Sequence, residues 1–376
     1  MKPSSKIFPG STLGVLGGGQ LGRMFVVAAR TMGYKTVVLD PDKNSPAGMT
    51  ADHHICSGYE DEAGIQQMAD LCDAITTEFE NVPAATLRKL AESVFVAPSA
   101  DVVEIAQHRD REKSYAREAG LETTPYAGIH SVKDIVSAVK TTGFPAILKS
   151  STLGYDGKGQ AIVNSTEEVT EKFKAFGSVE CILEKMLDLK QEVSVILGRN
   201  GQGQVEVFPV AENVHVNGIL HTSTVPANIG HELTQKAQQQ AMALAKLMDY
   251  VGVLAVEFFI TSDDQLIFNE MAPRAHNSSH YTLDATITTQ FEQQVRTLCG
   301  LEPGDSRLIS PVVMVNLLGD VWPVNWEVLF SESALKLHLY GKEEARAGRK
   351  MGHYNVLADS TVQAMEIAEA VFKKIS

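Results

Sequence analysis

VGVLAVEFFITSDDQLIFNEM, residues 251–271, decides the fold of the central part of the chain, because two apolar segments flank a short polar one and predict a β-hairpin. A two-residue loop at Asp263 and Asp264 would set Glu257 directly opposite Glu270. Like charges that face each other on neighbouring strands destabilise a hairpin unless a cation lies between them. Protein sites for Mg²⁺-bound ATP contribute one or two carboxylates. The hairpin therefore predicts a magnesium site at Glu257 and Glu270.

Two exposed acids in contact with water are the alternative interpretation of this pair. Asp-Asp is a poorer hairpin turn than Asn-Gly, and a slip of one residue would place the two side chains on opposite faces of the sheet. Both glutamates interrupt apolar strands, however, where an unpaired charge is costly to bury. That cost favours the metal site.

The chain before this hairpin begins with alternating apolar runs and helical stretches. The runs at 12–18, 35–40, 73–79 and 93–99 predict strands, and residues 22–33 and 100–120 each predict a helical stretch. Such alternation indicates a parallel sheet. We therefore expect a Rossmann-like N-terminal domain over residues 1–123.

The glycine loop from Gly17 to Gly22 matches G-x-G-x-x-G between a predicted strand and helix, and Asp40 ends the next strand, where an acid that binds a ribose would lie. Glycines let the backbone approach an anion at a helix N-terminus, so a monophosphate would satisfy the same chemistry. A tight turn without any ligand would need the same glycines. The loop is therefore moderate evidence for a ligand and weak evidence for NAD.

The rest of the chain predicts two further domains. Residues 124–305 mix strands, hairpins and helices and predict an α+β domain, with a lid subdomain over about 124–200. Residues 306–376 are too few to enclose much core alone, so this small C-terminal domain is expected to pack on its neighbours.

Two lysines lie in segments that suit phosphate binding. Lys149 follows the apolar run PAIL, and Lys158 lies in GYDGKGQ at 154–160, whose glycines can fold over phosphates. A surface lysine is the alternative for Lys149. Glu184 and Glu192 would line the same pocket, although neither glutamate is informative by itself.

Residues 272–282, APRAHNSSHYT, concentrate polar side chains and predict a ligand-binding loop. His276 and His280 have the i, i+4 spacing of a zinc motif, but that motif needs a helix, which Asn-Ser-Ser after a proline does not favour. A basic cluster near the C-terminus is either a solvated face or a phosphate clamp. It consists of Lys342, Arg346, Arg349 and Lys350.

The composition of the 376 residues narrows the class of protein. A hydrophobic fraction of 44% and a charged fraction of 21% are typical of globular domains, and the net charge of -13 disfavours binding to nucleic acid or to anionic membranes. Four scattered cysteines indicate free thiols, and no apolar run has the length of a signal peptide or membrane span. We expect a cytoplasmic enzyme.

The motifs, taken in order, resemble the N5-carboxyaminoimidazole ribonucleotide synthetase family of the ATP-grasp superfamily. The segments that carry the resemblance are GGGQLGRM (17–24), TEFEN (77–81), ILKSSTLGYDGKGQ (147–160), AVEFF (255–259), NEMAPRAHNSSHYT (269–282), TQFEQQVRTLCGL (289–301) and RKMGHYN (349–355). The resemblance implies an ATP-grasp fold in which the central domain carries the lid. It also implies the reaction: ATP phosphorylates bicarbonate to carboxyphosphate, and the amine of 5-aminoimidazole ribonucleotide takes the carboxyl group, in purine biosynthesis.

The resemblance implies site residues as well, with ATP and Mg²⁺ as cofactors and a homodimer as the assembly. Residues implied to contact ATP are Arg109, Lys149, Gly154, Tyr155, Asp156, Gly157, Lys158, Gly159, Gln160, Glu184, Lys185, Met186, Leu187, Glu192, His215, Asn269 and Glu270. Residues implied around the ribonucleotide and the carboxyl donor are Gln20, Leu21, Glu78, Tyr155, Arg274, Lys342, Arg349 and Lys350. Implied catalytic residues are Asp156, Lys158, Arg274, His276 and Lys350, and either Asp156 or His276 would take the proton from the amine.

Ala275 and Ser279 depart from the family pattern, which commonly has proline and glycine there, and this puts the geometry of the donor loop in doubt. Three other functions compete with the ligase. They are a formate-using transformylase that acts on glycinamide ribonucleotide, an NAD-dependent oxidoreductase, and a regulator that binds nucleotide without turnover.

Overall fold

The computed structural model of the protein describes residues 6–152 and 159–376. Its N-terminal part contains a five-stranded parallel sheet in the order β3-β2-β1-β4-β5, which confirms the predicted parallel sheet. The elements are β1 (Thr12–Leu16), α1 (Gln20–Thr31), β2 (Lys35–Leu39), β3 (His53–Ile55), α2 (Glu62–Leu71), β4 (Ala74–Thr77), α3 (Ala84–Leu90), β5 (Phe95–Val96), α4 (Ala100–Ala106) and α5 (Arg109–Glu118).

The single helical stretch expected over 100–120 is wrong, because the structure divides it into α4 and α5. His108 adopts an extended conformation, with φ of -133° and ψ of 110°, and precedes the first residue of α5. The Arg109 N–H donates to the carbonyl oxygen of Ser151 at 3.0 Å. The break therefore fixes the start of α5, and with it Arg109, against the end of a strand in the next domain.

A four-stranded antiparallel sheet in the order β6-β9-β7-β8 follows, with two helices. Its elements are β6 (Tyr126–Ile129), α6 (Ile135–Thr142), β7 (Ala146–Ser150), β8 (Gln160–Val163), α7 (Thr166–Ala175) and β9 (Cys181–Lys185). The lid expected over 124–200 takes in residues beyond this sheet, because the strand that begins at Leu189 belongs to the large sheet described next.

The remaining strands form one nine-stranded sheet, with path β15-β14-β10-β12-β13-β16-β18-β17 and β11 paired to β10. Its central elements are β10 (Leu189–Arg199), β11 (Val205–Val207), β12 (Ala211–Val216), β13 (Ile219–Val225), α8 (His231–Leu247), β14 (Gly252–Thr261), β15 (Leu266–Ala272), α9 (Thr282–Ala285) and α10 (Gln290–Leu298). Its C-terminal elements are β16 (Val312–Leu318), α11 (Trp326–Ser331), β17 (Leu335–Leu339), β18 (Lys350–Leu357) and α12 (Thr361–Ile375).

The C-terminal segment packs on its neighbours as expected, because β16 pairs with β13 and so continues the central sheet. Helices α1 and α10 share one apolar core, to which Phe25 and Phe291 contribute. This contact joins the N-terminal sheet to the central domain. None of the helices in the described part of the chain is long and apolar enough to cross a membrane.

Candidate active site

Glu257 on β14 and Glu270 on β15 are paired residues of the hairpin, which confirms the predicted juxtaposition. The predicted two-residue loop is wrong. Thr261 N–H donates to the Gln265 carbonyl at 3.0 Å, so Ser262, Asp263 and Asp264 form a three-residue loop. Asp264 adopts the left-handed conformation, with φ of 60°, that such loops require.

The longer loop shifts the register by one residue, and a bulge at Asn269 shifts it back. Phe258 pairs with Phe268, whereas Glu257 pairs with Glu270, so Asn269 is the extra residue on β15. Its amide Nδ2 donates to Glu257 Oε2 at 3.4 Å. The two irregularities cancel, and both carboxylates reach the same cavity.

Negative charge is concentrated around this pair. Burial, and then the charge of Glu270, raise the pKa of Glu257 to about 7. Burial and Glu270 likewise raise the pKa of Glu112, on α5, to about 8. Arg109 provides a partial balance, with its Nη1 atom 3.3 Å from Glu270 Oε2. The site therefore has a surplus of carboxylate that a bound cation would stabilise.

The first cavity, of about 260 Å³, lies between the four-stranded sheet and this hairpin. Its described lining includes Arg109, Lys149, Gln160, Glu192, His215, Glu257, Asn269, Glu270, His276, Asn277 and Lys350. The sequence-predicted phosphate and metal ligands that the structure describes thus largely converge on one space.

Lys149 is buried beside this cavity and forms an ion pair with Glu184, whose Oε2 lies 2.6 Å from its Nζ. Burial lowers the pKa of Lys149 in spite of this partner. Burial alone would raise the pKa of Glu184, but Lys149 and Lys113 lower it to about 2. Glu184 is 2% exposed, so its carboxylate anchors two lysines and does not face the cavity.

His215 and Glu192 form the opposite wall of the first cavity. His215 Nδ1 lies 3.0 Å from Glu192 Oε2. Burial alone would lower the pKa of His215, but the hydrogen bond with Glu192 and the charge of Glu257 raise it. This wall therefore gains positive charge from His215 next to the carboxylate pair.

The second cavity, of about 530 Å³, lies on the side of the N-terminal sheet. Its lining is Gln20, Leu21, Asp40, Tyr59, Glu78, Phe79, Glu80, Asn81, Glu270, Arg274, His276, Asn277 and Lys350. Four residues line both cavities: Glu270, His276, Asn277 and Lys350.

The glycine loop before α1 is closed around protein carboxylates. Gly19 and Gly22 donate their N–H groups to Glu78 at 2.6 and 2.9 Å, and Gly18 donates to Asp40 at 2.7 Å. A Cβ at Gly19 would lie 2.6 Å from Glu78 Oε1, which explains the glycine there. Because these N–H groups already donate to carboxyl groups of the protein, the loop is not arranged to hold the diphosphate of NAD.

The donor loop at 272–282 carries two predicted site residues into the space between the cavities. Arg274 donates from Nε to Glu80 and from Nη1 to the Ala275 carbonyl at 3.0 Å. His276 begins a 3-10 turn, Asn277–Ser279, and its backbone is held on both sides by the side chain of Gln290. His276 and His280 are thus not on one α-helix, as the zinc motif would require.

Several predicted residues lie elsewhere. His280 is fully buried, with its ring edge-on to Tyr340 and tilted against His353. Lys342 donates to the Lys350 carbonyl, Arg349 donates to the Glu344 carbonyl, and neither side chain is among the described residues that line the two cavities. The same holds for Lys185, Met186 and Leu187 at the end of β9 and for Gly159 before β8. The predictions for Gly154, Tyr155, Asp156, Gly157 and Lys158 lie outside the described residues.

The sequence interpretation missed Glu80, Glu112 and Lys113. Glu112 accepts the Met271 N–H at 2.5 Å, and Lys113 Nζ lies 2.9 Å from Glu184 Oε1. The only signal for Glu112 and Lys113 is helical spacing, because Arg109, Glu112, Lys113 and Ala116 share one face of α5. A charged face does not stand out as buried in a sequence, and Glu80 follows β4 with no periodic pattern.

Comparison with known proteins gives three family models that together cover most of the chain. The ribonucleotide synthetase preATP-grasp domain matches residues 11–107, the ATP-grasp domain matches 114–291, and the phosphoribosylaminoimidazole carboxylase C-terminal domain matches 312–367. These matches confirm the ATP-grasp fold that the sequence resemblance implied.

Individual proteins that are similar over nearly their whole length include N5-carboxyaminoimidazole ribonucleotide synthases. The N5-carboxyaminoimidazole ribonucleotide synthase of Bacillus subtilis (strain 168) is 43% identical over 347 residues, which are 92% of this chain and 91% of that protein. The structure of the Staphylococcus aureus N5-carboxyaminoimidazole synthetase with ADP matches with a TM-score of 0.93 at 38% identity, over 98% of both chains. The Aspergillus clavatus synthase, in complex with ADP and 5-aminoimidazole ribonucleotide, matches with a TM-score of 0.90 at 30% identity, over 97% of this chain and 98% of that one.

Proposed function

The chain belongs to the N5-carboxyaminoimidazole ribonucleotide synthase family, and we propose that it uses ATP to join bicarbonate to 5-aminoimidazole ribonucleotide. The products are N5-carboxyaminoimidazole ribonucleotide, ADP and phosphate, and carboxyphosphate is the intermediate. The chain is thus a carbon–nitrogen ligase of purine biosynthesis.

The observation that carries this proposal is the junction between the two cavities. Glu270, His276, Asn277 and Lys350 line both spaces, so a group activated in one cavity can react with a molecule held in the other. Carboxyphosphate reacts with water, and two cavities that share lining residues keep its path to the amine short. This arrangement favours transfer between two substrates over simple ATP binding.

The first cavity is assigned to ATP. Lys149 and Arg109 place cationic groups around a space that also holds two carboxylates. Lys149 is held in place by Glu184, so its ammonium is positioned before a phosphate arrives. Fixed cations of this kind stabilise the charge that develops on a transferring phosphoryl group.

Mg²⁺ fits the carboxylate pair on chemical grounds. Glu257 and Glu270 face each other, and burial followed by the charge of Glu270 raises the pKa of Glu257, so a cation between the two carboxylates would stabilise their charged forms. We assign the ion to these two residues, where it would neutralise phosphate charge together with ATP oxygens.

The second cavity is assigned to the ribonucleotide. In the Aspergillus clavatus complex, ADP and 5-aminoimidazole ribonucleotide are bound together. In this chain the second cavity adjoins the first and contains polar groups at Gln20, Asp40 and Tyr59 for a sugar and a base. Arg274 and Lys350 add positive charge at the end nearest the junction, where bicarbonate and phosphate would lie.

Asp156 and Lys158 are assigned to catalysis, and Lys342 and Arg349 to substrate binding, on the family resemblance alone. The homodimer and the cytoplasmic location rest on the same support. Sedimentation of the purified protein over a range of concentrations tests the dimer.

The test of function is ADP release in bicarbonate-depleted buffer with Mg²⁺ and ATP. We expect ADP to be released only when bicarbonate and 5-aminoimidazole ribonucleotide are both added. With isotopically labelled bicarbonate, the label should be found in the ribonucleotide product. ADP release that instead requires formate and glycinamide ribonucleotide would identify a transformylase. ATP binding without stimulated turnover would identify a nucleotide-binding regulator, and either result would refute the proposal.

A further inference from the structure

A buried chain of hydrogen bonds leads from the central sheet to His276. Ser223 Oγ donates to Asn213 Oδ1 at 2.8 Å, Asn213 Nδ2 donates to Ser194 Oγ at 3.0 Å, and Ser194 Oγ donates to Ser278 Oγ at 2.8 Å. None of these four side chains is more than 5% exposed. They lie on β13, β12 and β10 and in the donor loop, so the chain crosses the sheet to reach the junction between the cavities.

The direction of this chain is fixed at its His276 end. His276 Nδ1 lies 2.9 Å from Ser278 Oγ and 3.4 Å from the Ser278 backbone nitrogen. A backbone N–H can only donate, so Nδ1 is an acceptor. Ser278 Oγ accepts the hydrogen bond from Ser194, so its own hydroxyl group donates to His276 Nδ1.

The opposite direction places two donors against each other. It requires the Asn213 amide to turn over, Ser278 to donate back to Ser194, and a proton on His276 Nδ1. That proton would then face the Ser278 backbone N–H, with no acceptor between them. The backbone contact therefore selects one of the two arrangements.

We propose that Ser194, Asn213 and Ser278 are positioning residues that hold His276 as the Nε2–H tautomer, with Ser223 as the outer end of the hydrogen-bond chain. His276 then presents a hydrogen-bond donor at the junction and is not the base that takes the proton from the amine. Its Nε2 lies 3.5 Å from Glu257 Oε1 and beside both cavities. The catalytic part of this inference rests on the proposed function, since the donor would serve an oxygen of bicarbonate or carboxyphosphate.

The tautomer is measurable without turnover. Protein labelled with ¹⁵N-histidine is studied by long-range ¹H–¹⁵N correlation, and His276→Gln identifies the signals of His276. We expect an unprotonated Nδ1 and a protonated Nε2 in the wild-type protein. A proton on Nδ1 would overturn the inference whether or not the protein is a ligase.

One substitution is expected to reverse the direction of these hydrogen bonds without removing any of them. In Asn213→Asp the carboxylate accepts from both Ser223 and Ser194, so Ser194 becomes an acceptor for Ser278, and Ser278 an acceptor for Nδ1–H. We expect the Nδ1–H tautomer and a kcat about 10²-fold lower, with little change in KM for ATP, the size of effect seen when one oxyanion donor is lost. The wild-type tautomer in folded Asn213→Asp would contradict the inference.

Ser223→Ala is the matched control, because it shortens the chain at its far end and leaves the other three donors in their directions. We expect the Nε2–H tautomer and a kcat within a few-fold of wild type. A switch to Nδ1–H in this variant would show that general disturbance of the core, and not the direction of the chain, sets the tautomer.

Discussion

Glu257 and Glu270 face each other across the β14–β15 hairpin immediately beyond a bulge at Asn269. The side chain of Asn269 donates to Glu257 at 3.4 Å, and Arg109 lies 3.3 Å from Glu270. The pair is thus held at one carboxylate by an amide and at the other by a guanidinium. Glu257 is the more enclosed of the two, with 13% of its side chain exposed against 42% for Glu270.

Replacing either member of this pair by glutamine is expected to lower turnover by roughly two to three decades, because charge stabilisation on the phosphoryl group is lost. The concentration of Mg²⁺ at half-maximal rate should rise in both variants. Steady-state ADP release over a magnesium titration measures both effects. Glu171→Gln, an exposed substitution on α7, is the control and should behave as wild type. Unchanged magnesium dependence in Glu257→Gln and Glu270→Gln would show that the ion is held elsewhere.

The sequence predicts the pairing of Glu257 with Glu270 correctly, although the two-residue loop used to predict it is a three-residue loop in the structure. Apolar strands around two acids are visible in the sequence, but a three-residue loop and a compensating bulge leave no pattern in residue types. Only the sum of the two shifts matters for Glu257 and Glu270, so the inference survives. Local turn chemistry is weaker evidence than the cost of burying two unpaired charges.

Buried ion pairs are the part of the site that the sequence does not reveal. Glu112 and Lys113 lie in a helix whose residues read as solvent-exposed, and Glu80 reads as one acid in TEFEN. Their roles depend on contacts with residues more than 50 positions away, such as Arg274 for Glu80 and Glu184 for Lys113. No spacing rule encodes such contacts.

Glu112 should make the stability of the metal-free protein depend on pH. Its pKa is raised from 4.5 to about 8, so the folded state binds more protons than the unfolded state between these values. The free energy of unfolding should therefore fall as pH rises from about 4.5 to 8. Glu112→Gln keeps an acceptor for the Met271 N–H and should flatten this fall in denaturant titrations with EDTA. A slope as steep as that of wild type would rule out Glu112 as its source.

Lys149 should have separable roles in stability and in catalysis. Lys149→Ala leaves Glu184 with Lys113 as its cationic partner and should destabilise the protein by about 3–5 kcal/mol, the range for breaking a buried ion pair. It should also lower turnover by at least about two decades. Adding Glu184→Gln removes the carboxylate that also pairs with the buried Lys113, so the double variant should be less stable than Lys149→Ala and no more active. Turnover near that of wild type in folded Lys149→Ala would mean that Lys149 contributes only to the stability of the fold.

Glu78 is predicted to position the ribonucleotide substrate through its place inside the glycine loop. A Cβ at Gly19 would lie 2.6 Å from Glu78 Oε1, the movable end of a side chain, whereas a Cβ at Gly22 would lie 2.6 Å from the Gly17 carbonyl oxygen, which is backbone. Gly19→Ala should therefore displace the carboxylate and raise KM for 5-aminoimidazole ribonucleotide with little change in KM for ATP. Gly22→Ala should instead lower the free energy of unfolding, by about 1–3 kcal/mol for an overpacked site.

Gly58→Ala is the matched control for both glycine substitutions, since its Cβ would meet no atom within 4 Å. Steady-state kinetics and denaturant titration of the three variants separate the two effects, because displacement of a side chain changes the second cavity whereas a backbone clash changes the fold. If Gly19→Ala raised both KM values equally, the glycine loop would act on the whole site and not on the ribonucleotide. The Glu78 carboxylate would then have only a structural role, as the acceptor of the N–H groups at the start of α1.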